Sequence, residues 1–590
     1  MPRPNIYTQT FDPLQEGSTA GLSVDVAEVF QLVAWFRNIA RNFEGMLSKP
    51  PPWHDDYFIP VVSKAVAEAS GKISKLGFCQ QRVWEVARNH KDGMIGLVSL
   101  VSALEYLPQL RHKGHESCTS GYCEYATQNF TSVTQLHKCP NPKYCLTTTD
   151  KMFNQNLLVA TLKDNTMTTA WTLDGMSLVA KGKSYLAVSH VWSDGTGAGA
   201  WKAGQVNQCL WSFFVKIAER LGCDGVWWDT VCIPQDKAAR TIALNKMHQN
   251  YAAAKFTVVH DLYLTGIEWK SDGSPCIALV LSPWFTRGWT ALELLLSKKV
   301  FVLFRQGDEY TLKDLDEEML AQHRFLHSHA HWSATDAVKC LRPDRPAIDF
   351  GLNRHTIYDG QELLSVLQAR YTSWSRDQSI IAGLMCGLTD HVRLSEKDIT
   401  KQILANIWVI GRDSLFHGLQ TMSEPQFSWC PPRLVDIPSG TSSGTSSGTS
   451  SGGSSAYLKI SDGILFGHWK IWYIPSKSYV DRRMIWPSST NMYVQTQVQM
   501  ALQKPEKCLI LMCDTYDSQG LLVRPKASKN EPLKGLYCEY IGVVNLCPCG
   551  IRKPGFGAYK RICIGYEPGM VDVGLEDCER IIEIHESYWA

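Results

Sequence analysis

Two hydrophobic rhythms alternate along the middle of the chain. Apolar, β-branched runs that stop at polar or small residues occur at YLAVSHVW (185–192), GVWWDTVCI (225–233), FTVVHDLYL (256–264) and VFVLF (300–304). Between the first two, Cys209, Leu210, Phe213, Phe214, Ile217 and Leu221 recur at three and four spacing. The runs predict buried strands and the three-and-four pattern an amphipathic helix. KAARTIALNKMHQNYAAAK (237–255), rich in Ala and Lys, predicts a second helix, and SPWFTRGWTALELLLSK predicts a loop entering a third. Strands alternating with helices imply an α/β core with a doubly wound parallel sheet.

The flanks follow other patterns. Apolar spacing predicts helices over 24–47, 62–77 and 93–110, and helices return between 311 and 438, as in GQELLSVLQARYTSW (360–374) and SIIAGLMCGL (379–388). SGTSSGTSSGTSSGGSS (439–455) has no apolar side chain and reads as a linker. Beyond it, YLKISDGILF, HWKIWYIP, CLILMCDTY, GLYCEYIGVVNL and RICIGYE predict an antiparallel β module. The expected organisation is a helical N-terminal region (1–110), a Cys/His-rich segment (111–150), the α/β domain (151–310), a helical region (311–438), the linker (439–455) and the β-rich module (456–590).

Composition narrows the function classes. A net charge of +2 over 590 residues argues against a globally basic nucleic-acid binder. No apolar run approaches the ~18 residues of a membrane helix, and the start lacks a signal-peptide core. A soluble cytoplasmic protein with no membrane partner is therefore expected. Most of the 19 cysteines lie in apolar runs, such as Cys79, Cys232, Cys386, Cys508 and Cys513, and read as buried thiols. A second set is different. Cys118, Cys123, His137, Cys139 and Cys145 fall in one loop-rich stretch, and thiolates with imidazole are the ligands that structural Zn²⁺ takes four at a time. Cys139 and Cys145 compete for the last place. CPCG (547–550) has no second pair at useful spacing and reads as structural.

An open parallel sheet binds its ligand beyond the C-terminal strand ends. There the pattern places Ser189, His190, Trp192, Ser193 and Asp194, then Asp229, then Asp261, with Arg287, Trp289 and Glu293 at the entrance of the last helix. Each has a plainer reading: Asp194 as a turn residue, Asp229 as a backbone acceptor, His190 as a satisfied core imidazole, Arg287 as a loop tie to Asp229 or Asp261. Glu293 is set between Leu292 and Leu294. A helix start would lower its pKa and burial would raise it.

These motifs resemble the fungal heterokaryon incompatibility (HET) domain. Tyr185, Ala187, Val188, Ser189, His190 and Trp192 match its opening pattern; Trp227, Asp229, Cys232, Ile233 and Gln235 match its middle motif. Arg240, Met247, Tyr251 and Ala254 follow in register, and Arg287, Trp289, Thr290 and Glu293 match a late Arg-x-Trp-Thr-x-x-Glu motif. The resemblance implies a TIR/flavodoxin-like parallel sheet, and a glutamate at the position that serves NAD cleavage in many TIR domains. It thus implies a NAD-directed glycohydrolase acting in incompatibility or cell death, with catalysis by Glu293 and by Asp229 or Asp194 holding ribose. Trp192 or Trp289 would stack on a ring. The alternatives are an acyl transferase using Ser189 as nucleophile with His190 and Glu293, for example an aminoacyl-tRNA-dependent cyclodipeptide synthase, and a non-catalytic assembly module. The partners implied are a small-molecule or nucleotide substrate, tRNA only for the acyl transferase, and further copies of the chain in a homo-oligomer.

Overall fold

A computed structural model describes residues 55–88, 95–125, 133–149, 151–164, 167–197, 205–321, 329–342, 356–368, 370–438, 457–474, 485–512, 519–528, 536–546, 559–575, 577–578 and 580–582. The chain divides into two compact units, Met1–Cys123 with Leu326–Ser333, and Glu124–Phe325 with Ala334–Ala590. The helix expected over 24–47, the linker 439–455 and CPCG lie outside the described residues.

In the first unit, helices Asp55–Lys75, Gln80–Arg88 and Ile95–Glu105 pack on one another. Ile73, Phe78, Val83, Leu97, Leu100 and Leu104 form their buried side.

The second unit opens with a seven-stranded sheet. Its strands are β1 (Met167–Thr172), β2 (Leu178–Ala180), β3 (Tyr185–His190), β4 (Gly225–Trp228), β5 (Phe256–His260), β6 (Val300–Gln306) and β7 (Glu309–Asp314), in the order β2-β1-β4-β3-β5-β6-β7. The four strands expected from the apolar runs are the parallel core, β4-β3-β5-β6, but the second and third runs leave the sheet early, their C-terminal halves forming the short helices Asp229–Cys232 and Leu262–Thr265. Every residue of β3 and β4 is buried, as strands covered on both faces must be. Helix Gln208–Arg220 links β3 to β4, and helices Lys237–Asn245 and Met247–Ala253 link β4 to β5. The progression reverses at β3, which makes its C-terminal end the switch point.

The sheet is mixed rather than purely parallel. The β1–β2 hairpin adds antiparallel to β4, and β7 folds back antiparallel on β6. These edges carry half-polar strands without long apolar runs, which is why hydrophobicity alone does not reveal them. A Cβ at Gly225 would run into the Trp171 carbonyl and the Val179 side chain, so glycine lets β4 lie against the hairpin. Buried tryptophans find polar partners here: Trp171 Nε1 donates to the Val231 carbonyl and Trp227 Nε1 to Thr169 Oγ1, both at 3.0 Å.

Helices Gly360–Gln368, Ser375–Met385 and Glu396–Asn406 follow, and Ser375–Met385 packs on helix Gly288–Leu296. The β-rich module holds β8 (Val409–Gly411), β9 (Tyr457–Ser461), β10 (Ile464–Tyr473), β11 (Ile485–Pro487), β12 (Leu509–Met512), β13 (Gln519–Ala527), β14 (Leu536–Leu546), β15 (Lys560–Ile564) and β16 (Val571–Asp572). Five of them close into a ring, β10-β12-β13-β14-β15, because β15 pairs with both β14 and β10. The β14–β15 pair is parallel, a departure from an all-antiparallel module. Ile510, Met512, Leu522 and Val544 pack against Val494 and Val498 of helix Met492–Leu502. Among the described residues no helix is long and apolar enough to cross a membrane.

Candidate active site

Strand β3 ends in Ser189 and His190, which are 0% and 5% exposed. Consecutive strand side chains leave on opposite faces, and the hydrogen bonds of these two residues follow that split. Ser189 Oγ donates to Glu293 Oε2 at 2.5 Å and accepts the indole N–H of Trp284 at 2.7 Å. Glu293 sits on helix Gly288–Leu296, 4% exposed, with Tyr251 beside it. The Tyr251 hydroxyl donates to the Val188 carbonyl at 3.2 Å. Glu293 lies beyond the first helical turn, so the dipole expected to favour its charge is spent before it. Burial wins: it raises the carboxyl, against the pull of the Ser189 hydrogen bond, to about 7.

The other pair is His190 and Asp229. The imidazole Nε2 lies 2.6 Å from Asp229 Oδ1, and Nδ1 lies 3.1 Å from the Val191 carbonyl oxygen. Nδ1 faces a carbonyl and so carries a proton; Nε2 faces the carboxylate, which favours a second proton there and with it the charged ring. Trp228 meets the ring edge-on and directs its indole N–H at Nε2 from 3.1 Å, so Nε2 is approached by both the Asp229 carboxylate and the Trp228 donor. Burial works against charging the ring, yet the Asp229 carboxylate outweighs it and lifts His190 to about 9. For Asp229, burial works upward, but the charge and hydrogen bond of His190, with Trp192 and Thr230, hold it below the ordinary carboxylate range. Trp192 Nε1 donates to Asp229 Oδ2 at 3.0 Å and Thr230 Oγ1 to Oδ1 at 3.2 Å.

The remaining residues fall into two groups. Asp194 and Asp261 are loop ties. Asp194 accepts from the backbone N–H of Thr196 (2.8 Å) and of Leu262 (2.9 Å), joining the turn after β3 to the one after β5. Asp261 caps the short helix Leu262–Thr265 and accepts the Trp284 backbone N–H at 2.8 Å. Trp289 points its N–H at Asp377 (3.0 Å), on helix Ser375–Met385, and Ser193 lies half-buried in the turn. Arg287 lies within the field of Glu293, Asp229 and Asp377; burial lowers its pKa and these carboxylates raise it. Trp192 belongs to the His190 pair: its N–H bonds Asp229 and its ring lies roughly parallel to the imidazole, with centroids 6.4 Å apart.

Three participants were not anticipated as site residues: Trp284, Tyr251 and His260. His260 is buried in register with His190, and its Nδ1 lies 3.0 Å from Thr196 Oγ1. Its place at the end of FTVVH is the signal that could have flagged it. A cavity of about 570 Å³ lies at the other ends of the strands, lined by residues including Thr168, Lys181, Ser184, Lys246, Asn250 and Lys298, and takes in none of the two pairs.

The five expected metal ligands do not converge on one point. Cys118 and Cys123 join Cys79 and His115, while His137, Cys139 and Cys145 join Cys209. Cys139 and Cys145 therefore do not compete. Each set offers three thiols and one imidazole, a donor set suited to an ion such as zinc.

The geometry defines a doubly wound α/β domain with two buried acid–base pairs at its switch point. Residues 185–263 match the family model described as heterokaryon incompatibility protein (HET), so the chain carries a HET domain over that stretch. No curated protein and no solved structure matches the chain.

Proposed function

We propose that this HET-domain protein is a latent NAD-directed glycohydrolase acting in incompatibility or cell death, with kinship to TIR domains. The observation that carries the reading is the Ser189–Glu293 hydrogen bond, 2.5 Å long, on a carboxyl poised at about 7. An ionised carboxylate beside a ribosyl centre stabilises the oxocarbenium-like transition state of N-glycosidic cleavage. Ser189 orients Glu293 and Trp284 orients Ser189. The His190–Asp229 ion pair supplies a fixed dipole beneath the switch point, and Arg287 is the cation for a phosphate. At 4% exposure Glu293 meets a nucleotide only when the side chains packed around it part. Latency of this kind suits a protein switched on by assembly into a homo-oligomer. The test is nicotinamide release from NAD by the full chain, dilute and concentrated. Release that vanishes in Glu293→Gln supports the reading; none in any oligomeric state ends it.

One observation favours a second reading. Ser189 donates to a carboxyl with a near-neutral pKa, the arrangement of a nucleophile and its base in acyl transfer. Ser189→Ala discriminates: glycosidic cleavage survives with a reduced rate, whereas acyl transfer is abolished.

A further inference from the structure

Residues 111–149 pose a problem of stability. Between Leu110 and Phe153 the buried apolar side chains among the described residues are Cys118 and Cys123, while Tyr144 and Leu146 stand 81% and 75% exposed. Among the described residues the regular structure there is one short turn of helix, Pro142–Tyr144. A segment with so little core cannot offset the entropy of its own ordering. Yet its backbone is pinned at definite points. The Leu136 N–H donates to the Gly195 carbonyl (2.9 Å), Thr148 N–H to the Val206 carbonyl (2.8 Å), and Gln208 N–H to the Leu146 carbonyl (2.9 Å). A Cβ on Gly195 would lie 2.5 Å from the Thr134 carbonyl oxygen, so this strap presses on the turn that carries Asp194.

We propose that two structural zinc ions hold this segment, one bound by Cys79, His115, Cys118 and Cys123 and the other by His137, Cys139, Cys145 and Cys209. Tetrahedral Zn²⁺ with bonds of ~2.3 Å to sulfur and ~2.0 Å to nitrogen sets ligand-to-ligand separations of about 3.5–3.8 Å. In the first set His115 Nδ1 lies 3.4 Å from Cys118 Sγ and 3.5 Å from Cys123 Sγ. In the second, His137 Nδ1 lies 3.9 Å from Cys139 Sγ and 3.8 Å from Cys209 Sγ. All ligand atoms of each set lie within 4.8 Å of one another, and none of the six cysteines is in a disulfide. The Lys138 backbone N–H donates to Cys209 Sγ at 3.1 Å, a bond that strengthens with a thiolate acceptor.

The two sites differ in reach. The first joins helix Gln80–Arg88, at its entry, to the Cys118–Cys123 loop. The second joins the strap to the start of helix Gln208–Arg220, the connection that leaves β3. It is therefore a positioning element for the active-site turn at Gly195. This holds whichever reaction the site performs.

The test is metal content of the full chain purified without chelator, with Co²⁺ replacement in the wild type. Two zinc ions per chain are expected, falling to one in Cys79→Ser and to one in Cys209→Ser. Two equivalents of Co²⁺ are expected to give thiolate-to-cobalt absorption, a readout independent of variant folding. Backbone amide exchange over 133–148 and 192–197 is expected to rise in Cys209→Ser and stay unchanged in Cys79→Ser. A folded wild type with fewer than two ions and no cobalt–thiolate band overturns the proposal. So does a Cys209→Ser chain that keeps both ions, or one that loses both.

Discussion

The two faces of β3 carry acid–base pairs, one fully buried and one with its carboxylate 15% exposed, and leave them in opposite states. On one face Glu293 meets the neutral hydroxyls of Ser189 and Tyr251, with Trp284 bonded to Ser189, and burial moves its carboxyl up toward neutrality. On the other, Asp229 meets an imidazole that can take a proton, and both groups stay charged. Burial is common to both; the partner decides. A hydroxyl can only share a hydrogen bond, whereas an imidazole can complete an ion pair whose attraction exceeds the desolvation cost of each member.

The sharpest way to break this contrast is Asp229→Asn. It strips the imidazolium of its counter-ion in a buried place, and a loss of about 3–5 kcal/mol is expected in denaturant unfolding. The same isosteric change on the other face, Glu293→Gln, is expected to be far milder, since no charge is orphaned.

The pH dependence of stability separates the faces next. Glu293 has a folded pKa of about 7 against an ordinary 4.5, so the folded state holds its proton more tightly. Stability therefore falls as pH rises from 4.5 to 7, by about 3 kcal/mol, and then levels off for this group. His190, raised from 6.5 to about 9, contributes stability that is fully present below 6.5 and lost as pH rises through 9. Asp229, held low, contributes above its unfolded pKa and loses that as acid protonates it. The Glu293 and His190 contributions both slope downward, over 4.5–7 and 6.5–9 respectively, and are read as the difference between wild-type and variant unfolding curves, because buried neutral histidines such as His260 and His417 contribute in the opposite sense. Glu293→Gln is expected to flatten the 4.5–7 limb and leave the upper limb intact.

Smaller effects sharpen the picture. Trp284→Phe keeps an aromatic side chain but removes the donor to Ser189, with about 1–2 kcal/mol lost from the hydrogen bond, a further loss from the smaller ring in a buried site, and a further rise of the Glu293 pKa. Asp194→Ala unties the turns after β3 and β5, and a loss of about 1 kcal/mol is expected.

The parallel core was legible in the chain because buried strands announce themselves as unbroken apolar runs, and the polar residues that follow them mark the switch point. The division of Ser189 from His190 was also implicit, in the two-residue period of a strand, although the pattern of strand ends invites grouping them in one pocket. Other features depended on distant partners. Cys79 and Cys209 sit among apolar residues and read locally as core, so the ligand sets emerge only when the segments are brought together. Asp194 and Asp261 look alike as polar strand-end residues; their work as backbone acceptors depends on where Leu262 and Trp284 come to lie. Closure of the β10-β12-β13-β14-β15 ring rests on one strand, β15, meeting two partners far apart in sequence, which local alternation does not encode.

The central claim is that Glu293 is the catalytic carboxylate, and the pH–rate profile of nicotinamide release from NAD tests it most directly. The full chain is expected to gain activity through pH 7 as Glu293 ionises, and Glu293→Gln is expected to fall by about 100-fold or more while remaining folded. Release that is pH-independent across 7, or that survives in Glu293→Gln, would contradict it.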